Sequence, residues 1–443
     1  MNRLDPCICS KSELDLFSTP YLQKDIESGQ WIDFHPVSNI SDGGPIEFNI
    51  SGSGEKYTDL ENTQLHVHAK IVKSDLTAIG QDEKVAPVNL FLHALFSQVD
   101  VFLQDRLVST SNNTYPYRSY LETLLSYGSD VKESILTSEL FFKDSSKMMD
   151  VADPTLADAN ANMGLKERNK YIKAGVEVEM CGKIHSDIFA LSRHLLNGVD
   201  LKIKLIRSKN PFCLMSPEAG ADYKVIITNC FLRVRKVKVS PSVLLKHASL
   251  LRMESAKYPL RRVECKSFTI SQGNLSHTQD DAFLGQIPKR IVMGIVDTDA
   301  FNGSFKKNPF NFKNCGLNSV GVYLNGEQIP TPPLNLKFSS TSEGKIIQGY
   351  YSLLTGMGML SGDRGLPISR EEYGKGYTLF AWDMTPDLSS DYDHFCDLDK
   401  GNVRIELKFE SALTNTVNVI LYGEYDNILE ITEQRSIQYD YSV

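Results

Sequence analysis

The chain has 443 residues, 41% hydrophobic and 23% charged, with a net charge of −8. That is too long for one ordinary core and suits two domains of about 200 residues each, while the balance of apolar to charged residues excludes wholesale disorder. No apolar run approaches the roughly 20 residues of a bilayer span, so no transmembrane segment is expected, and no block of Lys and Arg offers a nucleic-acid arm.

In chain order, "MNRLDPCICSKSELDLFSTP" (1–20) lacks the uninterrupted apolar core of a signal peptide. This predicts a protein made and kept inside a cell while it folds. The segment is polar, carries Cys7 and Cys9 and precedes the first strand signal, so it reads as an arm reaching from the core to a neighbouring subunit. Alternating apolar and polar residues then mark half-buried strands at "QLHVHAKIV" (64–72) and "VDVFLQ" (99–104). "YPYRSYLETLLSYG" (115–128) predicts a helix with Tyr120, Leu121, Leu124, Leu125 and Tyr127 on one broad stripe and Gly128 at its end. Alternation resumes in "DLKIKLI" (200–206) and "FLRVRKVKV" (231–239), and the charges of the latter fit a strand with one wet face. The denser "VIITNC" (225–230) predicts a strand covered on both faces. "SPSVLLKHASLLRMES" (240–255) offers Ser240 as N-cap and Pro241 at the first helical position. Strands follow at "VGVYLN" (320–325), "NVRIELKF" (402–409) and the dense "VNVILYG" (417–423).

Three of these strands recur. "SQVDVFLQDRL" (97–107) matches "NSVGVYLNGEQI" (318–329) at an offset of 221, "DLKIKL" (200–205) matches "NVRIEL" (402–407) at 202, and "VIITN" (225–229) matches "VILYG" (419–423) at 194. The order is the same in both halves, which signals a duplication. Asn325-Gly326 is the best two-residue hairpin signal in the chain, and Gln104-Asp105 is its counterpart. The falling offset leaves about 20 extra residues in the first half, over an interval that holds the predicted helix and "SSKMMDVADPTLADANANMG" (145–164); these read as a surface insertion. The expected fold is all-β with a few short helices: two side-by-side eight-stranded antiparallel jelly rolls, at 21–245 and 246–443, after an arm at 1–20.

The run "VNLFLHALFSQVDVFLQDRLVSTSNNTYPYRSYLETLLSYG" (88–128) resembles the major capsid (hexon-type) proteins of adintoviruses and related Polinton/Maverick elements. The resemblance extends to "ELDLFSTP" (13–20), "FHPVSNISDGGPIEFNISGSGEKYTDLENTQLHVHAKI" (34–71) and "GKIHSDIFALSRHLLNGVDLKIKLIRSKNPFCLM" (182–215), and so covers nearly the whole chain. More distantly, the layout is similar to the double jelly-roll capsid proteins of virophages and large DNA viruses. The resemblance implies a non-enzymatic major capsid protein: a homotrimer forming pseudo-hexagonal capsomers that tile an icosahedral shell around double-stranded DNA. Neighbouring capsomers, penton and minor capsid proteins are the implied partners. The implied location is the virion capsid, assembled inside the host cell, with the arm contacting a neighbour or the inner surface of the shell. Packaging by a separate motor requires no cationic tail and no sequence-specific nucleic-acid binding. Trimer contacts are expected mainly on the long connections, including 129–180 and 339–375, because loops vary freely around fixed cores.

Local chemistry is sparse. His66 and His68 in "LHVHA" share a strand face, a geometry that suits zinc, but no third ligand is apparent and two polar strand positions is the preferred reading. "GSGEKYTDLENT" (52–63) lacks the Lys-Ser/Thr of a phosphate loop and reads as a turn. "TGMGMLSGDRGLP" (355–367) reads as an exposed loop or a contact between neighbours. "DYDHFCDLD" (391–399) gathers Asp391, Asp393, His394, Cys396, Asp397 and Asp399; it lacks the Gly and Glu of an EF-hand, so a solvated loop is preferred to a cation clamp. Cys7, Cys9, Cys181, Cys213, Cys230, Cys265, Cys315 and Cys396 form no CxxC pair and read mostly as buried free thiols. No catalytic, cofactor-binding or metal-binding residue is assigned and no cofactor is expected. The alternative from another class is a jelly-roll carbohydrate-binding or cupin-like metal-dependent protein, which calls for a His/Glu cluster in each barrel.

Overall fold

A computed structural model describes residues 14, 16–17, 22–40, 43–52, 54–338, 344–360, 365–392, 394–396 and 400–439. The two four-stranded sheets of the first half are built from β1 Ile26–Phe34, β2 Ile46–Ile50, β3 Lys56–Lys73, β4 Phe96–Leu103, β5 Arg106–Leu107, β6 Val178–Gly182, β7 Leu201–Arg207 and β8 Tyr223–Val239, while Ala86–Pro87 and Leu214–Met215 pair separately. The sheets of the second half are built from β9 Ala256–Ile270, β10 Ser276–Gln286, β11 Arg290–Asp297, β12 Leu317–Leu324, β13 Leu334–Asn335, β14 Leu379–Asp383, β15 Lys400–Phe409 and β16 Val417–Ile431, and the short strand Ile437–Gln438 adds to the end of β16. The sheets run β1-β8-β3-β6 and β2-β7-β4-β5, then β9-β16-β11-β14 and β10-β15-β12-β13. Adding eight to each label converts one half into the other, and the pairings are antiparallel throughout. Each half is therefore a jelly roll, and the chain is a double jelly roll. The predicted arm at 1–20 lies almost wholly outside the described residues.

The repeat holds at the level of register. Val101 faces Ile203 and Leu103 faces Leu201 across β4 and β7; at the same offsets, Val322 faces Ile405 and Leu324 faces Val403 across β12 and β15. Both pairings are bulged at the same place, between Phe96 and Gln98 and between Leu317 and Ser319. Because side chains alternate with period two, this register sends Val99, Val101 and Leu103, like Val320 and Val322, into the sandwich, where all are buried. Both turns reverse through a left-handed residue, Gln104 at φ 52° and Asn325 at φ 51°. The amide of each donates across the sheet, Gln104 to Asp200 O at 2.8 Å and Asn325 to Asn402 O at 2.9 Å.

The halves differ in what covers them. β11 and the first nine residues of β16 are buried on both faces, as the dense "VNVILYG" run predicts. "VIITNC" departs from that expectation: Ile226 is half-buried and Thr228 exposed, so this part of β8 has one wet face. Part of the cover on the second half comes from the first. Helix α1, Tyr115–Ser126, is buried almost all round and is wedged against the second jelly roll. Tyr120 stacks on Phe310 at 4.2 Å and Tyr117 on Phe301 at 5.5 Å, and the Tyr422 hydroxyl donates to Glu122 at 3.4 Å. The extra residues of the first half are thus not a surface insertion. Their apolar residues, including Leu124, Leu125, Phe141, Met149 and Leu165, belong to the hydrophobic core of the second half.

The second half returns the contact. Tyr258, Leu260, Leu429, Ile431, Ile437 and Tyr439 are buried in the core of the first half. The Tyr439 hydroxyl lies 3.4 Å from Asp187, and Arg435 donates to Asn197 O at 2.7 Å. Between the jelly rolls runs helix α2, Pro241–Leu251, which contains the expected boundary at 245/246. Pro241 takes the first helical position as predicted, but Ser240 makes no side-chain cap; its hydroxyl instead lies 2.9 Å from that of Ser242.

Candidate assembly surfaces

The motifs singled out in the sequence resolve mostly into structural roles. His66 stacks on Phe231 at 4.5 Å and lies 3.4 Å from Cys181 Sγ, while His68 faces Glu177 at 3.1 Å. Among the described residues they join no third ligand that would make a metal group. The turn expected at 52–63 is confined to its start. Gly52 N donates to Asp200 at 2.7 Å, and from Lys56 onward the chain is strand β3. There Asp59 is buried and paired with Arg235 at 2.8 Å.

The described part of 355–367 is not a free loop. Thr355 and Gly356 end helix α3, Ile347–Gly356, and a Cβ on Gly356 would come within 2.5 Å of the Ala381 backbone. Met357 is buried behind it. In 391–399, Asp391 accepts a 2.5 Å hydrogen bond from buried Arg290, whose other partners are Glu424, Ser390 and the Gly356 carbonyl. Asp393, Asp397 and Asp399 lie outside the described residues. His394 and Cys396 gather with Asp387 in a group that is largely open to solvent. Lys313 and Lys307 are both neutralised by Asp297, at 2.6 and 3.2 Å. Cys213, Cys230 and Cys265 are buried, and desolvation pushes each thiol up to about 12. Cys7 and Cys9 fall outside the described residues.

One cluster has no counterpart in the sequence reading. At the foot of α1, Arg118 pairs with Glu122 at 2.9 Å and with Asp187 at 2.7 Å, and His185 Nδ1 meets Glu122 at 2.6 Å. Burial alone would raise the Glu122 carboxyl, but the charge of Arg118 and the hydrogen bond to His185 outweigh it and pull it down to about 2. Fully buried His93 places Nδ1 at 2.9 Å from the Tyr115 hydroxyl and Nε2 at 3.4 Å from Glu139. Desolvation lowers the His93 pKa and so favours the neutral ring. His93, Glu139 and His185 are scattered through the sequence with no ligand-like spacing, and only the fold joins them.

Exposed apolar side chains occur on both long connections, as they do elsewhere on the surface. Ile135, Met163, Tyr171 and Val176 lie on that between β5 and β6; Ile347, Tyr351 and Leu360 lie on that between β13 and β14. No helix among the described residues is long and apolar enough to cross a membrane.

No known protein-family profile matches the chain. An uncharacterized protein of Caenorhabditis elegans, F54H12.2, is 24% identical over 430 residues, spanning 94% of this chain and 98% of that protein. A chain from the cryo-EM structure of the Sputnik virophage superposes over 99% of this chain and 94% of its own, with a TM-score of 0.65 at 11% identity. The Faustovirus major capsid protein superposes over 94% and 92%, with a TM-score of 0.56 at 9% identity. These solved structures share the fold.

Proposed function

We propose that this chain is the major capsid protein of an icosahedral double-stranded DNA virus or of a related element. The observation that carries the reading is the pair of jelly rolls with one strand order, locked side by side in a single chain that superposes end to end on a virophage chain and a viral major capsid protein. Three such chains around a threefold axis present six similar sandwiches, the outline of a tile that packs hexagonally. The exposed apolar residues on the connections 129–180 and 339–375 supply surface for permanent contacts within the trimer. Neighbouring capsomers, penton and minor capsid proteins complete the shell, which is assembled inside the host cell. The division into jelly rolls at 21–245 and 246–443, and an arm at 1–20 that contacts a neighbour or the inner surface, belong to the same reading.

A cupin-like enzyme fits less well. Such an enzyme needs a ligand cluster inside each barrel, and the second half offers, among the described residues, only the solvent-facing group of Asp387, His394 and Cys396. The test is light scattering with negative-stain imaging of the full chain at neutral pH. Trimers with a hexagonal outline, or closed particles, are the expected result; a stable monomer at high concentration in every condition tried overturns the proposal.

A further inference from the structure

We infer that His93, Glu139 and His185 form a buried zinc site that fastens the wedge helix to the first jelly roll. The inference stands independently of the capsid reading. One ligand atom from each residue lies within 4.8 Å of the others. His93 Nε2 and Glu139 Oε2 are buried 3.4 Å apart, facing each other without the alignment of a good hydrogen bond, and neither has another hydrogen-bond partner. Two buried polar atoms so weakly satisfied are costly to keep. The same separation, however, is close to the edge of a tetrahedron whose centre lies about 2.0–2.1 Å from each ligand, the distance at which zinc binds imidazole and carboxylate.

The surroundings are those of a metal site. A metal-bound imidazole normally donates its second N–H to a carboxylate or another oxygen, which fixes the ring and raises its basicity. Both rings have that partner: His185 Nδ1 faces Glu122 at 2.6 Å and His93 Nδ1 faces Tyr115 Oη at 2.9 Å. Each ring therefore has Nε2 left for the ion. Glu139 is held from behind by Gly182, where an added Cβ would come within 2.3 Å of Oε1. Two imidazoles and one carboxylate suit zinc better than calcium or magnesium, which prefer oxygen donors throughout. A fourth position remains for water.

The three ligands come from three separate stretches of chain: the short helical turn Phe91–Ala94 before β4, the turn Ile135–Glu139 in the long connection, and the segment just after β6. An ion there closes the long loop that carries α1 and braces its buried foot.

The test uses the full chain, stripped with a chelator and dialysed, then titrated with Co²⁺ and with Zn²⁺. Wild type should bind one equivalent of either. The cobalt form should show visible ligand-field bands without a thiolate charge-transfer band, and zinc should raise the melting temperature. His185→Ala should lose the equivalent and the bands. A variant carrying Asp387→Ala, His394→Ala and Cys396→Ser should keep both, since it alters only the solvent-facing group. Wild type that takes up no stoichiometric cobalt or zinc overturns the inference, and so does a thiolate band that vanishes in the triple variant. If His185→Ala does not fold, the wild-type spectrum and the triple variant still decide the matter.

Discussion

Arg168 is among the largest side chains without solvent exposure, and each of its three guanidinium nitrogens donates a hydrogen bond, to Pro87 O at 2.9 Å, Phe142 O at 2.7 Å and Asp144 at 2.7 Å. Asp144 in turn accepts from Asn308 of the second half at 2.9 Å. Removing the cation strands a buried carboxylate, which costs about 3–5 kcal/mol. Arg168→Met and Asp144→Asn should therefore each lower the urea midpoint strongly, since either change leaves the other charge buried without its counter-ion, and the double variant should lose less than the sum of the two. Asp297 gives a pH test. Burial alone would raise its carboxyl, but hydrogen bonds and charge from Lys313 and Lys307 hold it below the ordinary range. A carboxylate so lowered contributes stability at pH values above its unfolded pKa of about 3.9 and loses it as pH falls through the folded value. The stability gap between wild type and Asp297→Asn, read from urea midpoints at pH 7, 5 and 3.5, should be widest at pH 7 and 5 and narrow at 3.5.

At the scale of elements, the two equivalent hairpins are built unequally. Asn tolerates the left-handed region that Gln104 and Asn325 share, and Asn325 also accepts the Asn402 amide through its side chain at 2.9 Å. Asn325→Ala should cost about 1–2 kcal/mol in a denaturant titration, the sum of backbone strain and a lost hydrogen bond; Gln104→Ala should cost less, since only a bond to Gly198 O at the surface is removed. These hairpins and the alternation of Leu201, Ile203 and Leu205 were legible because strand chemistry is local: period two and a turn signal suffice. Helix α1 was legible as a helix but not as a wedge. Its Arg118 and Glu122 look like a solvent face, and the partners that make them internal, Asp187 and His185, lie in a distant segment. The His93–Glu139–His185 cluster was hidden for the same reason. "VIITNC" misled through composition, since an apolar run does not reveal whether a second layer covers it.

Across the whole molecule, each half completes the other's core, so neither is an independent folding unit. Expressed alone, 21–245 lacks Leu429, Ile431, Ile437 and Tyr439, and 246–443 lacks Tyr120, Leu124 and Leu165. Neither fragment should show a cooperative melting transition or dispersed amide signals in NMR spectra, whereas the full chain should unfold in one step. Two separate native-like transitions from the fragments would mean that the crossed contacts are incidental.

The one-sided wedge also bears on symmetry. Only one of the two jelly rolls has its outer sheet sealed by α1, so the two are alike in topology and unlike in outline. In the proposed trimer the six sandwiches then alternate between two kinds around the axis. Such a tile coincides with itself after a turn of 120° but not of 60°. A hexagon of six equal edges carries no directional mark, whereas this one tells a neighbour which of two orientations it holds. Duplication followed by unequal dressing of the copies thus turns a shape that merely fills a plane into one that can encode handed, position-dependent joints.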